Sequence, residues 1–234
     1  MKHVKLLSLL LLIASIQIGF AQNCGYYFPL ETGHGIEMKS YNGSGKPSGS
    51  YKQTVKTVTN EGGFTNAELH IENFDAKGKN VGTNDYTIKC NGTTIIIDAQ
   101  SLLDPKAMES YKDMTVTIEA EDIEIPSQFD INTVLKDAGV QMKVTNQGME
   151  FAMVDVKLNN RKVVAKETVT VPAGTYVCYK MSYDITMEMK TMGFPMTMKM
   201  KGIEYLSENA GSVKTEQYDD KGNKMGYSEL EKIF

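Results

Sequence analysis

Met187, Met189, Met192, Met196, Met198 and Met200 crowd into one short stretch of a chain that holds 15 methionines in all. Thioether sulfur is soft and polarizable, and three roles suit it. The plainest is packing inside a β hairpin. A second is an adaptable apolar lining, because an unbranched side chain can repack around ligands of varied shape. A third is a soft-metal site, since thioethers select Cu(I), although no imidazole lies close by in sequence. Within Met196-Thr197-Met198-Lys199-Met200-Lys201 the types alternate perfectly. As a strand, this run puts three thioethers on one face and Thr197, Lys199 and Lys201 on the other. Met187, Met189, Met196, Met198 and Met200 are therefore the expected ligand-binding residues.

Other reactive side chains form no recognisable constellation. His34 lies between two glycines, and His70 sits between Glu68 and Glu72 at strand spacing. Both read as exposed polar residues. Glu119, Glu121, Asp122 and Glu124 lack the Asp/Asn/Gly spacing of a calcium loop and read as a solvated strand face. Cys24, Cys90 and Cys178 allow one disulfide, with the pairing open. A catalytic thiolate needs a basic partner, and the region beyond residue 21 has only His34 and His70 to offer. There is no HExxH, paired Cys-x-x-Cys, G-x-S-x-G, P-loop or G-x-G-x-x-G motif, and no Trp for sugar stacking. No metal or cofactor is expected, and the chain reads as a non-enzyme.

The elements that position these residues alternate with period two. Ala67, Leu69 and Ile71 oppose Glu68, His70 and Glu72; Met114, Val116, Ile118 and Ala120 oppose Thr115, Thr117, Glu119 and Glu121. The register then shifts to Ile123 and Ile125, which predicts a bulge near Glu121-Asp122. A nine-residue pattern of aromatic, Asp or Asn, two residues, Gly, three residues, Gly begins at Tyr41, Phe74 and Tyr218. In each copy the Asp or Asn bonds its own downstream backbone and the first Gly takes the positive-φ position of a hairpin turn. Further turns are expected at Val171–Thr175 and Thr191–Pro195. One helix is expected, capped by Asp104, with Pro105 in its first turn and Leu103 stapled onto Met108, ending near Lys112 or Asp113. Residues 130–138 read as a loop or a single turn. Roughly ten or more strands with one short helix predict a mainly β, single-domain antiparallel meander curled into a half-barrel or barrel.

The start of the chain has the form of a secretory signal: Lys2 and Lys5, an apolar run from Leu6 to Ile18, and Gly19-Phe20-Ala21 as the cleavage site. Residues 1–21 are thus the expected signal peptide and 22–234 the single domain. The apolar run is shorter than a membrane span, so an integral membrane protein is not expected. Without residues 1–21 the chain has 23 basic and 29 acidic residues, a net charge of −6. That balance argues against nucleic acid and against an anionic membrane surface as partner.

Asn23-Cys24-Gly25-Tyr26-Tyr27-Phe28-Pro29-Leu30, Val171-Pro172-Ala173-Gly174-Thr175-Tyr176-Val177-Cys178-Tyr179-Lys180, and the closing run from Gly202-Ile203-Glu204-Tyr205 to Gly226-Tyr227-Ser228-Glu229-Leu230 resemble the TapB family. These are exported proteins of a DUF3108-like domain of unknown function, and the likeness spans essentially the whole chain beyond the signal. Tyr205 stands where the family pattern suggests Trp. The resemblance implies an exported, mostly antiparallel β protein with a curled sheet. It brings no catalytic residues, and the Met-rich hairpin is no part of it. The expected function is an exported, periplasmic or secreted binding protein with a concave apolar face for a lipid, a hydrophobic small molecule or an apolar segment of an envelope protein. The alternatives are an interaction module acting through exposed strand edges or its acidic face, and Met-based Cu(I) binding.

Overall fold

The computed structural model describes residues 27–103, 108–191 and 193–234. The described chain is extended over most of its length. Its strands are β1 (Gly35–Asn42), β2 (Pro47–Glu61), β3 (Phe64–Asp75), β4 (Asn80–Cys90), β5 (Thr94–Ile97), β6 (Thr115–Glu121) and β7 (Ile123–Pro126), followed by β8 (Ala138–Asn146), β9 (Met149–Val171), β10 (Gly174–Thr191), β11 (Phe194–Ser207), β12 (Gly211–Asp219) and β13 (Lys224–Ile233). They form one sheet in the order β6-β8-β9-β10-β11-β12-β13-β1-β2-β3-β4-β5-β7, curled into a nearly closed antiparallel barrel. A sheet this wide curls because strand twist accumulates across it.

The three repeated turns have the same construction. Asn42 Oδ1 accepts from the backbone N–H of Ser44 and Lys46, Asp75 Oδ1 from Lys77 and Lys79, and Asp219 Oδ1 from Lys221 and Asn223, all between 2.8 and 3.1 Å. The first glycines, Gly45, Gly78 and Gly222, have φ of 79°, 79° and 83°, conformations that a Cβ disfavours. In two of the three copies the last glycine serves the neighbouring copy. Gly226 pairs with Asn42 and Gly49 with Asp75. A Cβ at Gly226 would stand 2.8 Å from the Tyr41 carbonyl oxygen, and one at Gly49 2.5 Å from that of Phe74. Closing glycines thus let adjacent turns interlock along one rim of the sheet.

The expected bulge at Glu121-Asp122 is instead a change of partner. β6 pairs with β8 and β7 pairs with β5, so the two edges of the sheet are successive pieces of one segment that parts at Asp122. The Asp122 carboxylate accepts the Ala99 N–H at 3.2 Å. The loop expected at residues 130–138 runs to Asp137, where β8 takes over, and it helps to close the barrel. Leu135 N–H donates to the Arg161 carbonyl at 2.8 Å, Val163 N–H to Thr133 at 2.9 Å, and Val134 bridges Lys162. The buried Arg161 guanidinium donates to the carbonyls of Lys136 and Glu124, joining β9 to β7.

The interior is packed around Tyr27, which stacks on Phe129 at 5.0 Å while both meet Tyr179 edge-on. Val55, Leu69, Ile88, Val163, Met181 and Leu206 belong to the same cluster. A second interior cluster lies under the segment that follows β5. There a 3-10 turn, Ala99–Leu102, opens on Asp98, whose carboxylate accepts the Gln100 N–H. Ala99, Leu103, Met108 and Tyr111 pack on β8 and β9 through Val140, Met142, Val144 and Val156. Of the expected helix, Asp104–Ala107 lie outside the described residues; Met108 and Glu109 are helical and Ser110–Asp113 form a turn. Cys90 is disulfide-bonded, Cys178 is a buried free thiol, and Cys24 and the expected signal peptide lie outside the described residues.

Candidate functional site

β10 and β11 pair without a register shift from Cys178↔Ser207 to Thr191↔Phe194. Tyr179, Met181, Tyr183, Ile185, Met187 and Met189 therefore share one face of β10, the face that carries the interior residue Met181. Met187 stands directly opposite Met198, Met189 opposite Met196, and Ile185 opposite Met200. All five expected methionines thus lie on one inner-face stripe; Met192, at the tip, is outside the described residues. On β9 the same face continues through Val154 and Val156, the partners of Met189 and Met187.

Cover stops partway along this stripe. Ile185 and Met187 pack against the cluster capped by the segment that follows β5. Beyond them, Phe194 is 80% exposed, Met196 52% and Met198 39%. β12 pairs with β11 only as far as Met200↔Asp219, so among the described residues the outer edge of β11 from Phe194 to Lys199 has no neighbouring strand. The hairpin tip therefore presents an apolar face that nothing in the described chain covers. Pro195 and Lys199 sit on its free edge, and such residues discourage the addition of another strand.

A second group, polar and inward-facing, was not singled out from the sequence. Glu204 faces Met181 and Thr215 across its neighbouring strands, and Tyr51, Tyr86, Tyr183 and Arg161 surround it electrostatically. Burial pushes its carboxyl above the usual range, only partly offset by the Ser212 hydroxyl and Arg161. Burial, and then the Glu204 charge, raise the phenols of Tyr51 and Tyr183; for Tyr86, Tyr51 also contributes. Tyr86 Oη donates to Gln53 Oε1 at 2.8 Å. The Tyr183 ring lies over Gly202, filling the place a Cβ would take. Ser212 Oγ is buried without a well-formed hydrogen bond. Burial also draws the Arg161 guanidinium below its ordinary value, the opposing pull of Glu204 notwithstanding. One sequence signal could have exposed the group: Glu204 falls at the inward parity of Met200, Gly202 and Leu206.

The remaining candidates are dispersed. His70 Nδ1 meets Asp85 at 2.6 Å, and Lys56 approaches the same carboxylate at 3.3 Å; the His70 hydrogen bond leads the effects that hold Asp85 below its usual range. Glu68 takes the Thr57 hydroxyl instead. His34 Nε2 is buried without a partner. Glu124 pairs with Lys136 at 3.0 Å and Asp122 binds backbone, so the acidic cluster does not converge. Glu119 and Glu121 border a cleft of about 590 Å³ with Asp137 and Asp155, and Lys157 neutralises Asp155 at 3.0 Å. Among the described residues, no group of His, Cys, Asp and Glu is arranged to hold a metal.

A family model described as DUF3108-like matches residues 31–230. The chain belongs to the DUF3108-like family. The match agrees with the resemblance read from the three sequence segments, and it does not bear on the TapB label. No curated protein matches the chain. Two solved structures share the fold of this DUF3108-like chain. One is a protein of Bacteroides fragilis NCTC 9343 described as exported and of YmcC-like fold, with 22% identity, TM-score 0.68, and 90% of this chain and 100% of that chain covered. The other is described as a lipoprotein of Parabacteroides distasonis ATCC 8503, with 24% identity, TM-score 0.71, and 90% and 99% covered. Among the described residues of this DUF3108-like chain, no helix is long and apolar enough to cross a membrane.

Proposed function

We propose that this DUF3108-like chain is an exported, non-enzymatic envelope protein that holds an extended apolar chain, such as a lipid acyl tail, along the Met-lined stripe of the β10–β11 hairpin. One observation carries the reading: the inner apolar face runs past its cover and leaves Phe194, Met196 and Met198 exposed on the same side as packed Ile185 and Met187. Burying exposed apolar area contributes about 25 cal/mol per Å², and solvated faces of this kind mark binding sites. From Ile185 to Thr191 the stripe is roughly 20 Å long at strand rise, which suits an elongated ligand. The flexible thioethers would repack around it. Export is supported by the signal-like first 21 residues and by the descriptions of the two structural neighbours. The Pro and Lys on the free edge of β11 weigh against a partner strand as the occupant.

Native mass spectrometry of the mature protein, purified from its own envelope fraction, tests this. The expected result is a reproducible added mass of lipid size that is lost on denaturation and reduced by Met196→Lys. A bare chain mass, or an adduct indifferent to that substitution, would turn the assignment toward an interaction module. A co-purified protein would point to an apolar partner segment.

A further inference from the structure

An acyl tail asks only that the stripe be apolar, and the β-branched residues would form strands more readily than Met. The sulfur itself therefore calls for an account beyond the lipid reading. Two pairs of thioethers, Met187 with Met198 and Met189 with Met196, stand directly across adjacent strands and two residues apart along each strand. Directly opposed Cβ atoms lie about 4.5–5.5 Å apart, and diagonal ones about 7–8 Å. Each Met has three rotatable side-chain bonds, enough for several sulfurs to converge on one point above the hairpin.

The surroundings suit a soft ion and disfavour a hard one. Glu188, Lys190, Thr197 and Lys199 belong to the opposite face by strand alternation. On β9 the quartet meets Val154 and Val156. No carboxylate or imidazole joins the thioethers on this face of the hairpin, whose nearest members along β10 are Ile185 and Thr191. Met187 is anchored in packed side chains while Met196 and Met198 are open to solvent, so an ion can arrive at a partly fixed site. Thioethers select Cu(I) among the first-row metals. They bind without releasing a proton, unlike thiolate and imidazole ligands, and they do not form disulfides outside the cytoplasm.

We propose that Met187, Met189, Met196 and Met198 form a Cu(I) site on the inner face of the hairpin tip. The test uses the mature full chain, anaerobic, in a Cys178→Ala background so that the free thiol cannot hold the metal. Cu(I) is titrated against the chromophoric chelator bicinchoninate, with Ag(I) as a redox-inert probe and Zn(II) as a control. One Cu(I) per chain should be retained, equally at pH 5.5 and 7.5, while Zn(II) is not. Replacing the four methionines with Leu keeps the face apolar and should weaken retention more than roughly 100-fold, beyond what loss of outer-sphere support alone costs. Surrender of the metal to the chelator by the unsubstituted quartet, or unchanged retention by the leucine variant, would overturn the proposal. The same leucine variant should still carry a lipid adduct. Loss of metal with the adduct intact separates this site from the acyl-chain reading, and absence of the adduct in both proteins counts against that reading alone.

Discussion

Glu204 shows what a single inward-facing acid does to this barrel. Burial holds its carboxyl above the usual range, so the folded chain keeps the proton to a higher pH than the unfolded chain. As pH rises from the ordinary carboxylate range through the folded value, the unfolded state loses its proton first and stability falls. Glutamine cannot ionise. Glu204→Gln should therefore raise Tm at pH 7.5 by roughly 2–4 °C, the shift about 1 kcal/mol gives in a domain of this size, and leave it nearly unchanged at pH 4. Equal effects at both pH values in thermal melts would show that the acid is not held neutral. Neither Glu204 nor its companions Tyr51, Tyr86 and Tyr183 stood out in the sequence, because their meeting depends on β2, β4, β10 and β11 lying around one interior. Met187, Met189, Met196, Met198 and Met200 were legible as a shared face because alternation within two paired strands is a local property. Their exposure was not, since it depends on where β12 and the segment after β5 stop.

At the scale of elements, the turns were the most readable part of the chain. Asn42, Asp75 and Asp219 bond the same downstream N–H groups in all three copies, as their shared spacing with Gly45, Gly78 and Gly222 requires. Two closing glycines carried a second meaning that a single copy could not reveal: Gly49 and Gly226 each face the neighbouring hairpin in space, and Gly226 reaches a partner far away in sequence, whereas Gly82 pairs with Asn73 of its own hairpin. Gly226→Ala should accordingly lower stability by about 1–3 kcal/mol, the range for forcing extra volume into packed structure. Chemical denaturation would measure it, and amide exchange should quicken at Tyr41 and Asn42 as well as at Met225. A loss confined to the β12–β13 turn would mean that the copies do not interlock. The segment break at Asp122 was visible only as a change of parity. Parity cannot distinguish a bulge from a change of partner, because both move side chains to the other face.

The whole molecule depends on how its two edges meet. The fold class followed from alternation and turn count, but the closure did not, because it rests on long-range bonds from β9 to the loop before β8. Arg161 is central to it, donating to the carbonyls of Glu124 and Lys136. Arg161→Ala strands two acceptors and should cost about 1–3 kcal/mol. Hydrogen exchange should report the loss first at residues 132–135 and in β7, ahead of β1 to β3; uniform acceleration would show that closure and global stability are one process. The passage of the chain through Asp122 has a mechanical consequence. It crosses the seam between the two lips as a single diagonal stitch, fastened by its carboxylate to Ala99. One residue spans at most about 3.6 Å, so at that point the lips cannot gape however many hydrogen bonds are lost. A load that pulls them apart falls on covalent backbone there, and one cut in the peptide at this crossing would free both margins together.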